Sequence, residues 1–544
     1  MSRTSQHDAE TATHPPTIPA ALMRAAERWP DTEAYVEGDR RVTFREFRAA
    51  ALEIARGLLA KEVQLGDRVV IWAPNSIEFA IAAMGVYCAG GAVVPLNTRF
   101  TAYEAQSLIR QAKARVVFAF ERFLDRDYLN SLREFGLLAE LDAAISLRGD
   151  TPEGCLSLGD LVTLGEGVDE QTVLDREADL DPDANSDILF TSGTTGVPKG
   201  AMLRHEASCR GYTEYGRSLG LQVGDRVVGV APFFHCFGLK GLILTATLCG
   251  ATILPLSTFE VTQLAGVIEK EAATVLLGAP PIFQALLDDP RIDRNRLSSL
   301  RVAGPGAMGA ATKFYTRLRD ELGFSAFSPG YALTESHAIA CRTYWFDDFE
   351  TVSTTSGRPV PGIELQIVDE ENAPVPDGTD GEIVIRGYTV MSGYFEDPVA
   401  TAATIVDGWL HTGDIGHLDE QGRIHVTDRK KDMFLVGGYS TYPAEIEFVL
   451  SSFPGISAVA VIGVPDSRLG EVGKAYVVPV GAGTVEITEL EAFARARLAN
   501  YKIPRHWEVV NELPRNASGK VQKFVLRENL SPSAKQQQQK AGTP

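Results

Sequence analysis

Two stretches in the first half of the chain share one pattern. Residues 64–74 (QLGDRVVIWAP) and 222–232 (QVGDRVVGVAP) each set a near-continuous apolar run behind a Gly-Asp turn. Each is followed by a stretch of helical character and then, after glycine, by a second apolar run, GGAVVPL at 90–96 and GATILPL at 250–256. Strands that are apolar on both faces belong to parallel sheets covered by helices, so each copy reads as strand–helix–strand. Recurrence at so large a spacing predicts two related subdomains rather than a solenoid. DILFTSG, AATVLLGAPP and LRVAGPG add short buried strands that end in Gly-rich turns, the places where open parallel sheets bind ligands. After Ser356 the texture changes to alternation with turn signals at Asn372 and Asp377–Gly378, which predicts antiparallel strands of a small barrel. From Lys431 onward a compact α+β piece is expected, with helices over 443–450 and 486–499 and strands at AVAVIGV and AYVVPV. The fold expected is α/β: a large N-terminal domain of two doubly wound parallel-sheet subdomains plus a small β-barrel, then a small α+β C-terminal lid. The boundaries follow as 17–430 and 431–528, with 1–16 and 529–544 as disordered tails.

Composition narrows the function classes. With 544 residues, 44% hydrophobic and 23% charged, the chain is an ordinary globular one of two or three cores, not a coiled coil or disulfide scaffold. A net charge of −19 argues against general nucleic-acid binding, which needs a basic footprint. The longest uncharged run, Gly241 to Phe259, is broken by Gly250 and Pro255, so a buried helix feeding a buried strand is expected and no membrane span. Six cysteines without a CxxC pair and nine histidines without a cluster point away from structural zinc and toward a reducing compartment. The N-terminus lacks the apolar core of a secretory signal, and a cytoplasmic protein is expected. Residues 431–544 hold 13 Lys/Arg against 11 Asp/Glu, leaving the preceding body acidic; a basic lid over an acidic body suits an anionic substrate.

The strongest chemical signal is Thr191-Ser192-Gly193-Thr194-Thr195-Gly196-Val197-Pro198-Lys199-Gly200, directly behind the apolar strand Asp187–Phe190. Its glycines free the backbone to approach an anion, its hydroxyls present donors and Lys199 adds positive charge, as a polyphosphate cradle requires. GxxxxGK[ST] cannot be fitted to it, so a P-loop kinase or ATPase is excluded on spacing.

TSGTTGVPKG resembles the phosphate-loop signature of the AMP-forming adenylating enzymes, which comprise acyl-CoA synthetases, peptide-synthetase adenylation domains and luciferases. The resemblance runs through about residues 20–525 in the family's order of motifs: Gly330-Tyr331-Ala332-Leu333-Thr334-Glu335-Ser336, Gly408 to Asp414, Asp428-Arg429-Lys430-Lys431-Asp432, and Pro514 to Lys520. PFFHCFGLK, VPLNTRFTAYEA and LPRNASGKVQK are most similar to bacterial fatty-acyl-type CoA ligases, including those acting on steroid-degradation acids.

The resemblance implies an ATP-dependent acid:CoA ligase that forms an acyl adenylate and passes the acyl group to CoA. It implies ATP binding by Thr191, Ser192, Gly193, Thr194, Thr195, Lys199, Gly304, Gly330, Tyr331, Thr334, Asp414, Arg429 and Lys520. Glu335 and Thr194 would hold Mg2+, Thr334 the α-phosphate, Tyr331 the adenine, and Asp414 with Arg429 the ribose. Lys520 would be the mobile cation of adenylation, Lys431 the hinge, and Gly437, Gly438 and Tyr439 the CoA track. His235, in Phe233-Phe234-His235-Cys236-Phe237, would lie near the substrate carboxylate. Departures occur at Gly304-Pro305-Gly306-Ala307, at Ser328-Pro329, and at Leu435 and Gly437, where some relatives carry Lys. Transfer to a carrier-protein thiol is the alternative, and a nucleotide-binding regulator without catalysis is another. The acid is expected to be hydrophobic, a medium- or long-chain fatty acid or an alicyclic acid of steroid breakdown; a homodimer is left open.

Overall fold

The computed structural model describes residues 14–191, 198–306, 312–429, 432–436, 439–441, 443–466, 468–481, 483–498, 500–515 and 521–528. The chain forms two compact units. The first takes residues 1–277 with 334–339 and 388–401; the second takes 278–333, 340–387 and 402–544.

The sequence echo is a structural echo within the first unit. Arg68–Trp72 and Arg226–Gly229 are the equivalent strands, each paired in parallel with the strand behind the second glycine, Ala92–Pro95 and Thr252–Pro255. Gly66 and Gly224 both sit at positive φ (76° and 82°), a conformation that costs glycine least. The amide of Gly66 donates to Gly90 O at 2.9 Å and that of Gly224 to Gly250 O at 3.0 Å. In each copy the following Asp caps the turn, accepting from the amide of Gln64 (2.9 Å) or Gln222 (2.7 Å). One local code builds the same turn twice.

One sheet of this unit has eight strands in the order Gly393–Tyr394, Lys199–Arg204, Asn185–Thr191, Ala92–Pro95, Arg68–Trp72, Val116–Phe120, Ala143–Arg148, Leu156–Ser157. Its core is parallel, and the two strands beyond Asn185–Thr191 run antiparallel. The other carries Val275–Gly278, Arg226–Gly229, Thr252–Pro255, Glu33–Glu37 and Arg40–Thr43. Helix Ile77–Cys88 is buried all round, with Ser76 capping its N-terminus. The run Gly241 to Phe259 is largely a buried helix leading into a buried strand, as expected, but the helix opens as a π-helix over Phe237–Leu244 before becoming α over Thr245–Cys249.

In the second unit, the alternating stretch folds as an antiparallel sheet of Ile363–Val368, Gly381–Gly387, Trp409–Leu418 and Ile405–Val406, with Ile424–Arg429 paired to Trp409–Leu418. Asn372 and Gly378 take positive φ at the expected turns. From Phe434 a separate sheet forms around the long hairpin Ile456–Asp466 and Gly470–Pro479, packed by helices Pro443–Ser451 and Ile487–Arg495. Its core includes Ile446, Val461, Val477 and Leu490. The fold is α/β, a large N-terminal portion plus a small C-terminal one, as expected. Among the described residues no helix is long and apolar enough to cross a membrane.

Candidate active site

The phosphate loop hangs from a closed pair of strands. Thr191 ends one and Lys199 begins the next, and the two are antiparallel partners, so both ends of the intervening loop are fixed by the sheet. The Thr191 hydroxyl lies 3.4 Å from Lys199 O and 3.4 Å from Glu335 Oε1. Glu335 sits in a single 3-10 turn, Thr334–Ser336, whose main chain is tied down where the amide of Met391 donates to Glu335 O at 2.9 Å. The Tyr394 hydroxyl donates to Glu335 Oε1 at 3.0 Å, and the Lys199 ammonium stands 5.2 Å from the Tyr394 ring centroid. Thr191, Lys199, Glu335 and Tyr394 therefore form one cluster within the first unit. A carboxylate, a cation and two hydroxyls at the end of a parallel sheet can hold a metal–polyphosphate.

A second group in the same unit surrounds His235. Its ring keeps an exposed face, although protein crowds it on other sides and lowers its pKa below the ordinary imidazole value by desolvation. Nδ1 accepts the Phe237 amide at 3.3 Å, which leaves Nε2 as the protonated nitrogen. The imidazole is thus a neutral hydrogen-bond donor. The chain before it is clamped by buried Asn75, which donates to Gly229 O (2.8 Å) and Ala231 O (2.9 Å) and accepts from the Phe233 amide (2.7 Å). Gly238 follows because a Cβ there would stand 1.9 Å from Pro232 O.

In the second unit the structure joins Tyr331 to Asp414. The phenol donates to Asp414 Oδ2 at 2.8 Å, and both residues are buried. Burial, with the carboxylate beside it, pushes the phenol pKa well above its ordinary value, so it stays a donor. Asp414 lies opposite Arg429 in the ladder of Trp409–Leu418 and Ile424–Arg429, and its amide donates to Thr412 Oγ at 3.1 Å. Gly330 opens a short strand where a Cβ would meet Cys341 O at 2.5 Å. Gly304 lies in the strand Val302–Pro305.

Ser192, Gly193, Thr194, Thr195, Lys431, Gly437, Gly438 and Lys520 lie outside the described residues; of Arg429 and Tyr439 only the backbone is described. Sequence reasoning misses Tyr394 and Asn75. The first is one tyrosine in the string GYFEDP and becomes significant only through strand pairing, Ala201 opposite Tyr394. For Asn75 the one available signal is a polar side chain set between apolar runs in WAPNSIEF.

Comparisons with known proteins identify the family. Residues 22–395 match the family model for AMP-binding enzymes, and residues 445–520 that for the AMP-binding enzyme C-terminal domain. A 3-[(3aS,4S,7aS)-7a-methyl-1,5-dioxo-octahydro-1H-inden-4-yl]propanoyl:CoA ligase of Rhodococcus jostii is 41% identical over 94% of this chain and 99% of its own. The enzyme of the same name in Mycobacterium tuberculosis is 42% identical over 94% of this chain and 98% of its own. The anthranilate CoA ligase AuaEII, solved with anthranoyl-AMP, superposes with a TM-score of 0.85 at 26% identity, covering 95% of this chain and 98% of that one.

Proposed function

The chain belongs to the family of AMP-binding enzymes and is an AMP-forming acyl-CoA synthetase using ATP and CoA, and from that premise we propose that it activates a hydrophobic, fused-ring propanoate of steroid breakdown. The observation that carries this choice is identity of 41% and 42%, along nearly the whole chain, to two ligases named for one bicyclic propanoate. A fatty acid is the second reading; a Bacillus subtilis long-chain-fatty-acid ligase is 31% identical over 94% of the chain.

The reaction runs in two steps. A carboxylate oxygen of the acid attacks the α-phosphorus of ATP, the bond to the β-phosphate bridge breaks, and pyrophosphate leaves. The sulfur of CoA then attacks the acyl carbon, AMP leaves with the bonding electrons, and the thiol proton goes to solvent. Thr191, Lys199 and the loop from Ser192 to Thr195 hold the polyphosphate, with Thr334 on the α-phosphate. Tyr331 and Asp414 take adenine and ribose, aided by Gly304, Gly330 and Arg429. His235 donates Nε2–H to the acid carboxylate and orients it, a role suited to a neutral imidazole.

Mg2+ fits the residues at Glu335. A single half-buried carboxylate with two hydroxyls near Oε1 suits an ion that keeps waters and takes phosphate oxygens. No cluster of three or more His, Cys, Asp or Glu capable of holding a metal is present among the described residues. Glu335, with Thr194, would hold the ion, which when bound neutralises charge on the phosphates. Tyr394 orients the carboxylate. Lys520 supplies the cation for the first step, and Gly437, Gly438 and Tyr439 the CoA track for the second, with Lys431 as hinge between segments 17–430 and 431–528.

AMP release with CoA, scored over a panel of fatty, aromatic and fused-ring propanoic acids, tests the assignment. The highest kcat/KM is expected for the 7a-methyl-dioxo-octahydroindenyl propanoate; a higher value for palmitate or octanoate overturns it. Replacing CoA by a carrier protein is expected to abolish turnover. Oxygen-18 in the acid carboxylate must appear in AMP.

A further inference from the structure

The strand that ends at Thr191 carries one partner of an ion pair with no part in the chemistry above. Lys240 is 1% exposed and Asp187 0%, and their ammonium and carboxylate are in direct contact. The pair is fully supplied with partners: Tyr87 OH donates to Asp187 Oδ1 at 2.5 Å, Ser186 Oγ lies 2.5 Å from Oδ2, and the Lys240 ammonium stands 3.4 Å from Ser186 Oγ and 5.0 Å from the Tyr87 ring centroid. An ion pair this deep gains little net stability over apolar packing, because both charges are stripped of water. What it supplies is geometry, since only one arrangement satisfies every donor and acceptor.

The two residues sit on the elements that matter. Asp187 belongs to the strand Asn185–Thr191, four residues before the loop begins. Lys240 belongs to the π-helix Phe237–Leu244, whose first turn is continuous with the active-site histidine, the Leu239 amide donating to His235 O at 2.8 Å. A π turn carries an extra residue, is rare, and occurs frequently at functional sites.

We propose that the Lys240–Asp187 pair is a positioning device for adenylation, locking the helix behind His235 onto the strand that ends at Thr191. It thereby sets the acid-holding segment at the distance from the phosphate loop that in-line attack requires, where a displacement of about 1 Å can cost about a hundredfold in rate. The inference rests on the assignment of the phosphate loop and of His235 made above.

The test is a double variant, D187N/K240M, which removes both charges at once and leaves neither stranded. Acid-dependent exchange of pyrophosphate into ATP is expected to fall about thirtyfold or more in kcat, with KM for ATP within about twofold. Conversion of preformed acyl adenylate and CoA to thioester is expected to stay within about twofold. Tyr87→Phe, which keeps both charges and deletes one hydroxyl, gives the same selective loss at about threefold and serves if the double variant does not fold. Unchanged exchange in the folded variants, or equal loss of both half-reactions, overturns the proposal. His235→Ala separates the underlying assignment: if it leaves the KM for acid unmoved, the role of His235 fails, whereas a selective exchange defect in D187N/K240M still supports the pair.

Discussion

Asp414 is a buried carboxylate that receives the Tyr331 hydroxyl at 2.8 Å, so a proton donor already orients it before any diol arrives. Asp414→Ala removes that acceptor; KM for ATP is expected to rise about 10- to 100-fold, with KM for the acid little changed, measured by exchange kinetics. Lys520→Ala is expected to lower the exchange rate about 100-fold or more, while thioester formation from preformed adenylate stays within about threefold. Loss of both half-reactions to the same extent would contradict a cation used in one step only. Legibility differs sharply among these residues. Glu335, Asp414 and Lys199 are readable because a charge sits inside a Gly-rich string of fixed order. Tyr394, Asn75 and Lys240 are not, because each works through a partner more than fifty residues away or through a strand register that the linear chain does not display.

The repeated Gln-x-Gly-Asp-Arg-Val-Val element shows how much local chemistry can fix. The glycine, the capping Asp and the apolar run dictate turn, strand start and burial together, and both copies are readable from the sequence. The π-helix is not, since its periodicity over eight residues looks like any buried helix. Helix His205–Leu219 opens on a histidine that is likewise fixed by its surroundings. His205 is fully buried against Tyr87, and desolvation, followed by the nearby Lys240 charge, lowers its pKa to about 3. Because the unfolded imidazole takes a proton below about pH 6.5 and the folded one refuses it down to about 3, this group destabilises the fold as pH falls across that window. Above it the group contributes nothing. The slope is about 1.4 kcal/mol per pH unit. Urea unfolding of His205→Gln at pH 7, 6 and 5 is expected to show a shallower loss of stability than the parent, with the two curves parallel above pH 7.

For the whole molecule, the charge asymmetry places a near-neutral, slightly basic C-terminal piece after a strongly acidic body. Because the whole chain carries −19, it repels ATP and an anionic acid at long range, and KM in exchange is expected to fall as salt rises from 50 to 500 mM and screens that repulsion, with kcat little changed. The division into two units is not legible from the motif order, which runs through the chain without regard to it. The first unit recruits residues 334–339 and 388–401 after stretches that belong to the second. A single cut that keeps Glu335 and Tyr394 with Thr191, after Thr401, therefore also carries residues 278–333 and 340–387 of the second unit as passengers. A fragment ending at Leu277 lacks Glu335, proposed above to hold the metal, and Tyr394, and calorimetry should find no MgATP binding in it. Split-protein reporters, domain grafts and circular permutants of this enzyme must respect that interleaving, or they will part Thr191 and Lys199 from Glu335 and Tyr394 before any question of catalysis arises.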